Sequence, residues 1–132
     1  MKAFILDASL ALEWFCADAS QDALSRRSLF DERVALVPHI WRFEVMNVIT
    51  TWQRRGDLNQ ATAARTLQDL LLLPFATVDE GSPEAIVSLA QRQRLSAYDA
   101  TYLHVAMITG EPLASLDTAL VQAADDVGVT CL

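Results

Sequence analysis

Four carboxylates are the residues of this sequence best suited to chemistry. The apolar run Phe4, Ile5, Leu6 ends directly in Asp7, and the run Leu113, Ala114, Ser115, Leu116 ends directly in Asp117. Each run reads as a strand that hands over to an acid, which puts both acids at the carboxyl edge of a sheet, where open parallel sheets bind their ligands. The competing reading is that each is only an N-cap, since both precede helix starts. Glu44 interrupts a helix that is apolar on nearly every side, and shares one stripe with Asn47 and Thr51 at i, i+3 and i+7. A carboxylate in such surroundings must be paired, protonated or bound to a cation, because an isolated buried charge is too costly. Its alternative is a solvated stripe. Asp99 is the only acid or base of segment 97–107 besides His104, and its first-turn position lets the helix dipole stabilise it; an ordinary first-turn acid is the plainer reading. Four hard oxygen donors without a histidine or thiolate select Mg2+ or Mn2+ over zinc or copper. Such a centre points to phosphate chemistry, with a water activated and the charge of a cleaving phosphodiester neutralised.

The elements that must position these acids follow from periodicity. Strand-length apolar runs at 2–6, 34–37, 75–78, 112–116 and 127–131 alternate with helical segments at 9–16, 20–32, 39–55, 59–73, 83–93, 97–109 and 118–126. That alternation predicts an α/β domain spanning 1–132, with five strands in a mainly parallel sheet and seven helices. Pro38, Pro74 and Pro112 sit at element edges, Gly56 separates two helices and Gly110 follows a third. Only Gly56, Asp57 and Leu58 join helices 39–55 and 59–73, which predicts an antiparallel hairpin. Trp52 and the run Leu70 to Leu73 give this hairpin either a dimer surface or simply more core.

Composition bounds the function. With 132 residues, 52% of them hydrophobic and 20% charged, the chain has the makeup of a folded domain with a substantial core. A formal charge of −7 argues against a protein that grips nucleic acid by bulk electrostatics, though not against a local site. Cys16 and Cys131 lie far apart with no C-x-x-C spacing, so free thiols are expected rather than a zinc ribbon or a disulfide scaffold. The apolar run Ala3 to Leu6 is too short for a signal sequence or a membrane span, and a cytoplasmic protein without membrane attachment is expected.

The residues themselves carry a resemblance. Leu6-Asp7-Ala8-Ser9, Glu44-x-x-Asn47 in an apolar helix, Leu95-Ser96-Ala97-Tyr98-Asp99-Ala100 and Leu116-Asp117 before the last helix stand in the order and at the distances of PIN-domain ribonucleases. The chain resembles most the VapC-like toxins of bacterial type II toxin–antitoxin pairs, over essentially its whole length. The resemblance implies a PIN-like three-layer fold with a five-stranded parallel sheet. It implies a catalytic and metal site of Asp7, Glu44, Asp99 and Asp117, supported through hydrogen bonds by Ser9, Asn47 and Ser115. It further implies Mg2+, with Mn2+ able to substitute, and endonucleolytic cleavage of a structured RNA such as a tRNA or rRNA. A homodimer and a VapB-like antitoxin lying in the active-site groove complete the expectation.

One departure is the scarcity of lysine: Lys2 is alone, so RNA contact falls to arginines. These cluster as Arg26 with Arg27, Arg54 with Arg55, and Arg92 with Arg94. The last pair, a few residues before Asp99, is the candidate for substrate phosphate; solvated faces are the plain reading of the others. Trp14 and Phe15 follow the first acidic turn and belong either to the groove or to the core. A receiver domain, also a small α/β fold with an acidic magnesium pocket, needs a lysine late in the chain that is absent here. A catalytically inert PIN-fold binding partner and a metal-dependent phosphatase acting on small substrates are the remaining alternatives.

Overall fold

The structure is a computed structural model and describes residues 2–132. Four parallel strands, β1 (Lys2–Leu6), β2 (Arg33–Val37), β3 (Phe75–Thr77) and β4 (Leu113–Ala114), form one sheet in the order β3-β2-β1-β4. The chain first builds outward from β1 through β2 to β3, then crosses back to lay β4 on the other side of β1. The carboxyl end of β1 is therefore the point where strand order reverses, and it is there that α/β sheets leave a crevice. Phe4, Ile5 and Leu6 have no exposed surface, as a central strand covered on both faces requires.

Among the described residues seven α-helices surround the sheet: α1 (Ala8–Glu13), α2 (Gln21–Ser25), α3 (Ile40–Arg54), α4 (Gln60–Leu71), α5 (Pro83–Gln93), α6 (Ala97–Thr109) and α7 (Thr118–Asp126). Right-handed crossovers place α1 to α4 on one face and α5 to α7 on the other. The contacts agree: α3 packs on α1 and α4, while α6 packs on β1, β4, α5 and α7. Start signals in the sequence do the local work. Ser20, Asn59, Ser82, Ser96 and Asp117 each accept a hydrogen bond from the backbone N–H three residues on, at the N-caps of α2, α4, α5, α6 and α7. No helix among the described residues is long and apolar enough to cross a membrane.

Three expectations are corrected. The fifth strand, expected at 127–131, is a single parallel bridge between Cys131 and Leu113. The turn that closes α7 consumes its first residues: Gly128, at φ +80°, and Val129 bond back to Asp125 and Ala124, leaving only the Thr130 carbonyl and the Leu132 amide to pair with Leu113. The helix expected at 20–32 is α2 followed by a 3-10 turn, Arg26–Asp31. Ser25 and Ser28 each donate to the carbonyl three residues back, a local competition that disfavours α-geometry. The helix expected at 9–16 stops at Glu13, where Phe15 and Cys16 already make tighter bonds to Leu12 and Glu13.

The core settles one open reading and divides another. Trp14 is buried, its indole N–H donates to the Ala23 carbonyl at 2.6 Å, and its ring meets Phe30 edge-on; Phe15 packs beside it, so both belong to the core. In the α3–α4 hairpin, Leu70 is fully buried and Trp52 and Leu73 pack on the core, whereas Leu72 is 81% exposed. Both cysteines are free, as expected.

Candidate active site

Asp7 sits one residue past β1, at the N-cap position of α1, yet its side chain makes no capping bond. Its carboxylate is only 4% exposed, and one oxygen, Oδ2, accepts hydrogen bonds from Ser9 Oγ at 2.7 Å and Ser115 Oγ at 2.6 Å. The N-cap reading therefore fails for Asp7. Burial pushes its pKa up; the two serine hydrogen bonds hold it down, and the charge of Asp117 adds to the rise. Ser9 and Ser115 are also tied to the loop after β4, because Ser9 Oγ accepts from the Leu116 N–H at 3.2 Å and Ser115 Oγ accepts from the Asp117 N–H at 3.0 Å. Two hydroxyls thus lock the ends of β1 and β4 together through the Asp7 carboxylate.

Asp117 is an N-cap and more. Its Oδ1 accepts from the Leu120 N–H at 3.0 Å, so the capping interpretation holds, while its charge bears on both Asp7 and Asp99. Asp99 lies in the first turn of α6, whose N-cap is Ser96. Its pKa rises from 3.8 to about 6, through burial first and then the charges of Asp117 and Asp7. Glu44, half-buried on α3, accepts a 2.6 Å hydrogen bond from the Tyr102 hydroxyl across the site. Burial raises its pKa, Tyr102 opposes the rise, and the charges of Asp7 and Asp99 reinforce it. The solvated-stripe reading of Glu44 does not survive.

All four predicted acids therefore act on one another electrostatically, from four elements, at the switch point of the sheet. The supporting residues divide: Ser9 and Ser115 hold Asp7, while Asn47 lines a cleft beside Glu44 with its amide free of hydrogen bonds to the described residues. Arg92, in the last turn of α5, and Arg94, which ends that helix in a left-handed conformation at φ 55°, are exposed and touch none of the carboxylates. Arg27 lies over Trp14 and Phe15, and Arg55 pairs with Asp57. Two contributors escape a reading by motif. Tyr102 stands three residues after Asp99 on the same helical face, a spacing that signals a shared site. Arg26 pairs locally with Asp22 at 2.8 Å, but its bond to the Ser115 carbonyl at 3.0 Å leaves no signal in the sequence because that partner is 89 residues away.

The donor chemistry fits a hard divalent cation. None of the four carboxylates is ion-paired with a described basic residue, and three of them carry raised pKa values, first because burial removes them from water and then because of one another's charge. Among the described residues no three His, Cys, Asp or Glu side chains stand close enough together to hold a metal ion as they are placed. Like charges that raise one another's pKa are what a counter-ion relieves.

The family model for the PIN domain matches residues 4–126. No curated protein matches the chain. Among solved structures, PAE2754 from Pyrobaculum aerophilum is similar at 22% identity and a TM-score of 0.77, over 98% of this chain and 83% of that one. VapBC2 from Rickettsia felis, bound to a DNA fragment from their promoter, is similar at 9% identity and a TM-score of 0.67, over 98% and 97%. VapC20 from Mycobacterium tuberculosis, a sarcin-ricin loop cleaving toxin, is similar at 14% identity and a TM-score of 0.63, over 91% and 94%. At these identities the likeness is one of fold.

Proposed function

The chain belongs to the PIN-domain family, and from that membership we propose that it is a metal-dependent endoribonuclease, the toxin of a type II toxin–antitoxin pair, that hydrolyses phosphodiester bonds in structured RNA. The observation that carries the proposal is the meeting of Asp7, Glu44, Asp99 and Asp117 at the sheet's switch point without a basic partner. In this reading all four carboxylates hold Mg2+, or Mn2+ in its place. When bound, the ion supplies Lewis-acid activation of water and neutralises charge on the cleaving phosphodiester.

The chain's own residues do the positioning. Ser9 and Ser115 fix Asp7 by occupying one carboxylate oxygen, which would leave the other free for a cation. Tyr102 does the same for Glu44 by donating to Oε1. Asp117 is oriented by capping α7, and Asp99 by the first turn of α6, whose dipole favours its charged form. No side chain need form a covalent bond to substrate. Exposed Arg92 and Arg94, at the carboxyl end of α5, are the proposed contacts for RNA phosphates. The similarity to a VapBC complex supports a VapB-like antitoxin as a partner, and in this reading it lies in the active-site groove. A homodimer in the cytoplasm completes the reading, with Leu72 of the α3–α4 hairpin as its exposed apolar anchor.

The test is cleavage of total RNA by antitoxin-free protein with Mg2+ or Mn2+, against EDTA and Asp99→Asn controls, with fragment ends mapped by sequencing. A discrete cut that needs both metal and Asp99 is the expected result. Cleavage that persists in the Asp99→Asn protein overturns the assignment, and activity on nucleotides but not on folded RNA indicates a phosphatase instead.

A further inference from the structure

We infer that Phe43 and Tyr98 form a stacking site for one unpaired nucleobase of the RNA, next to the phosphate that is cut. The inference rests on the nuclease reading and adds a substrate subsite to it. A cleft of about 490 Å3 is lined by Ile40, Phe43, Glu44, Asn47 and Tyr98. That volume is within the range of roughly 300–1,000 Å3 typical of sites for small organic groups. Phe43 is 67% exposed and Tyr98 61% exposed, and neither ring is paired with another aromatic among the described residues. Large aromatic surfaces left open in this way mark binding surfaces.

The position of the two rings identifies the occupant. Phe43 on α3 and Tyr98 on α6 line the same cleft as Glu44, so the two rings flank that carboxylate from different helices. Glu44 belongs both to the cluster and to the cleft wall, which makes the two continuous. No basic side chain lines the cleft, and a phosphate there would face the Glu44 carboxylate. The group that fits is flat and uncharged, with polar edges: a base, whose own phosphate reaches the carboxylate cluster. Asn47 supplies an amide with free donor and acceptor positions toward such an edge. Bases in a duplex are stacked on one another, so this site selects loops, bulges or flipped-out nucleotides.

The experiment uses single-stranded RNA carrying 2-aminopurine at each position in turn, and the same strands with an abasic nucleotide there, bound by protein in the Asp99→Asn background with Mg2+. One position is expected to lose fluorescence on binding. Phe43→Leu or Tyr98→Leu should each weaken binding roughly 5- to 150-fold, the span of single-base stacking effects, and restore the fluorescence; Tyr98→Phe should retain both affinity and quenching. The abasic strand should bind equally weakly with or without the rings. Unchanged affinity in the leucine variants, or equal weakening of intact and abasic strands, overturns the inference. So does conversion of a dimer to monomers by these variants in sedimentation, which would make the face a contact between copies. Metal- and Asp99-dependent cleavage with KM unaltered in Phe43→Leu would remove the subsite and leave the nuclease standing; absence of any metal-dependent cleavage would remove both.

Discussion

Asp99→Asn separates stability from activity, with the two moving in opposite directions. The pKa of Asp99 in the folded chain is raised from 3.8 to about 6. The native state then binds the proton more tightly than the unfolded state, so this group's contribution to stability falls as pH rises from about 4 through about 6, and the full penalty applies at neutral pH. A shift of that size corresponds to roughly 3 kcal/mol. Asp99 is only partly buried, and solvent screening reduces the figure to about 1.5 kcal/mol. Loss of the favourable charge in the first turn of α6 returns about 0.5 kcal/mol. The net expectation is a gain of about 1 kcal/mol for metal-free Asp99→Asn near pH 7, a rise in Tm of roughly 3–5 °C for a chain of this size, and little gain near pH 4. Urea unfolding in EDTA at the two pH values, followed by the fluorescence of buried Trp14 and Trp41, measures it. Mg2+ should then stabilise the wild type more than the variant, because a ligand of the native state adds stability in proportion to its affinity. A variant less stable than wild type at neutral pH, or a gain of equal size at both pH values, refutes the electrostatic account of the site.

Other residues give sharper local tests. Ser115→Ala removes a 2.6 Å hydrogen bond to the buried Asp7 carboxylate and the acceptor of the Asp117 amide; it should cost roughly 1.5–3 kcal/mol in unfolding experiments and move the acid limb of the cleavage pH profile to higher pH. Tyr102→Phe leaves Glu44 without its 2.6 Å donor; weaker Mn2+ binding by calorimetry, by roughly tenfold if half of a charge-assisted bond is lost, is expected with the fold retained by circular dichroism. Leu72→Ser removes the most exposed apolar side chain of the α3–α4 hairpin, and sedimentation should show a weakened dimer with unaltered monomer stability.

The legible part of this protein was the part whose signal is local. The helices α3 to α7 stand within a residue or two of their expected limits because each is announced by a cap or a proline, and α4, α5 and α7 also by a 3.6-residue apolar period. The four acids were legible because they break apolar patterns at strand ends and helix faces. What escaped depended on partners distant in sequence. The 3-10 turn after α2 reflects Ser25 and Ser28 bonding their own backbone. The fifth strand shrank to one bridge because the residues that spelled a strand by composition are used to end α7. Trp14 and Phe15 could not be assigned to groove or core until Ala23 and Phe30 were seen beside them. The role of Arg26 depends entirely on the Ser115 carbonyl.

The hydrogen bond from Ser115 to Asp7 spans 108 residues, and it has a consequence in time. A ribosome makes β1 and Asp7 first and the Ser115–Asp117 loop near the end, so no growing chain has an assembled site until β4 has emerged and slotted in beside β1. Interrupted synthesis or a premature stop before that point yields a fragment with three of the acids and neither the serine that seats Asp7 from β4 nor the cap of α7. The order of strands thus works as a completion check: the carboxylate site comes into being with the finished fold and not before it.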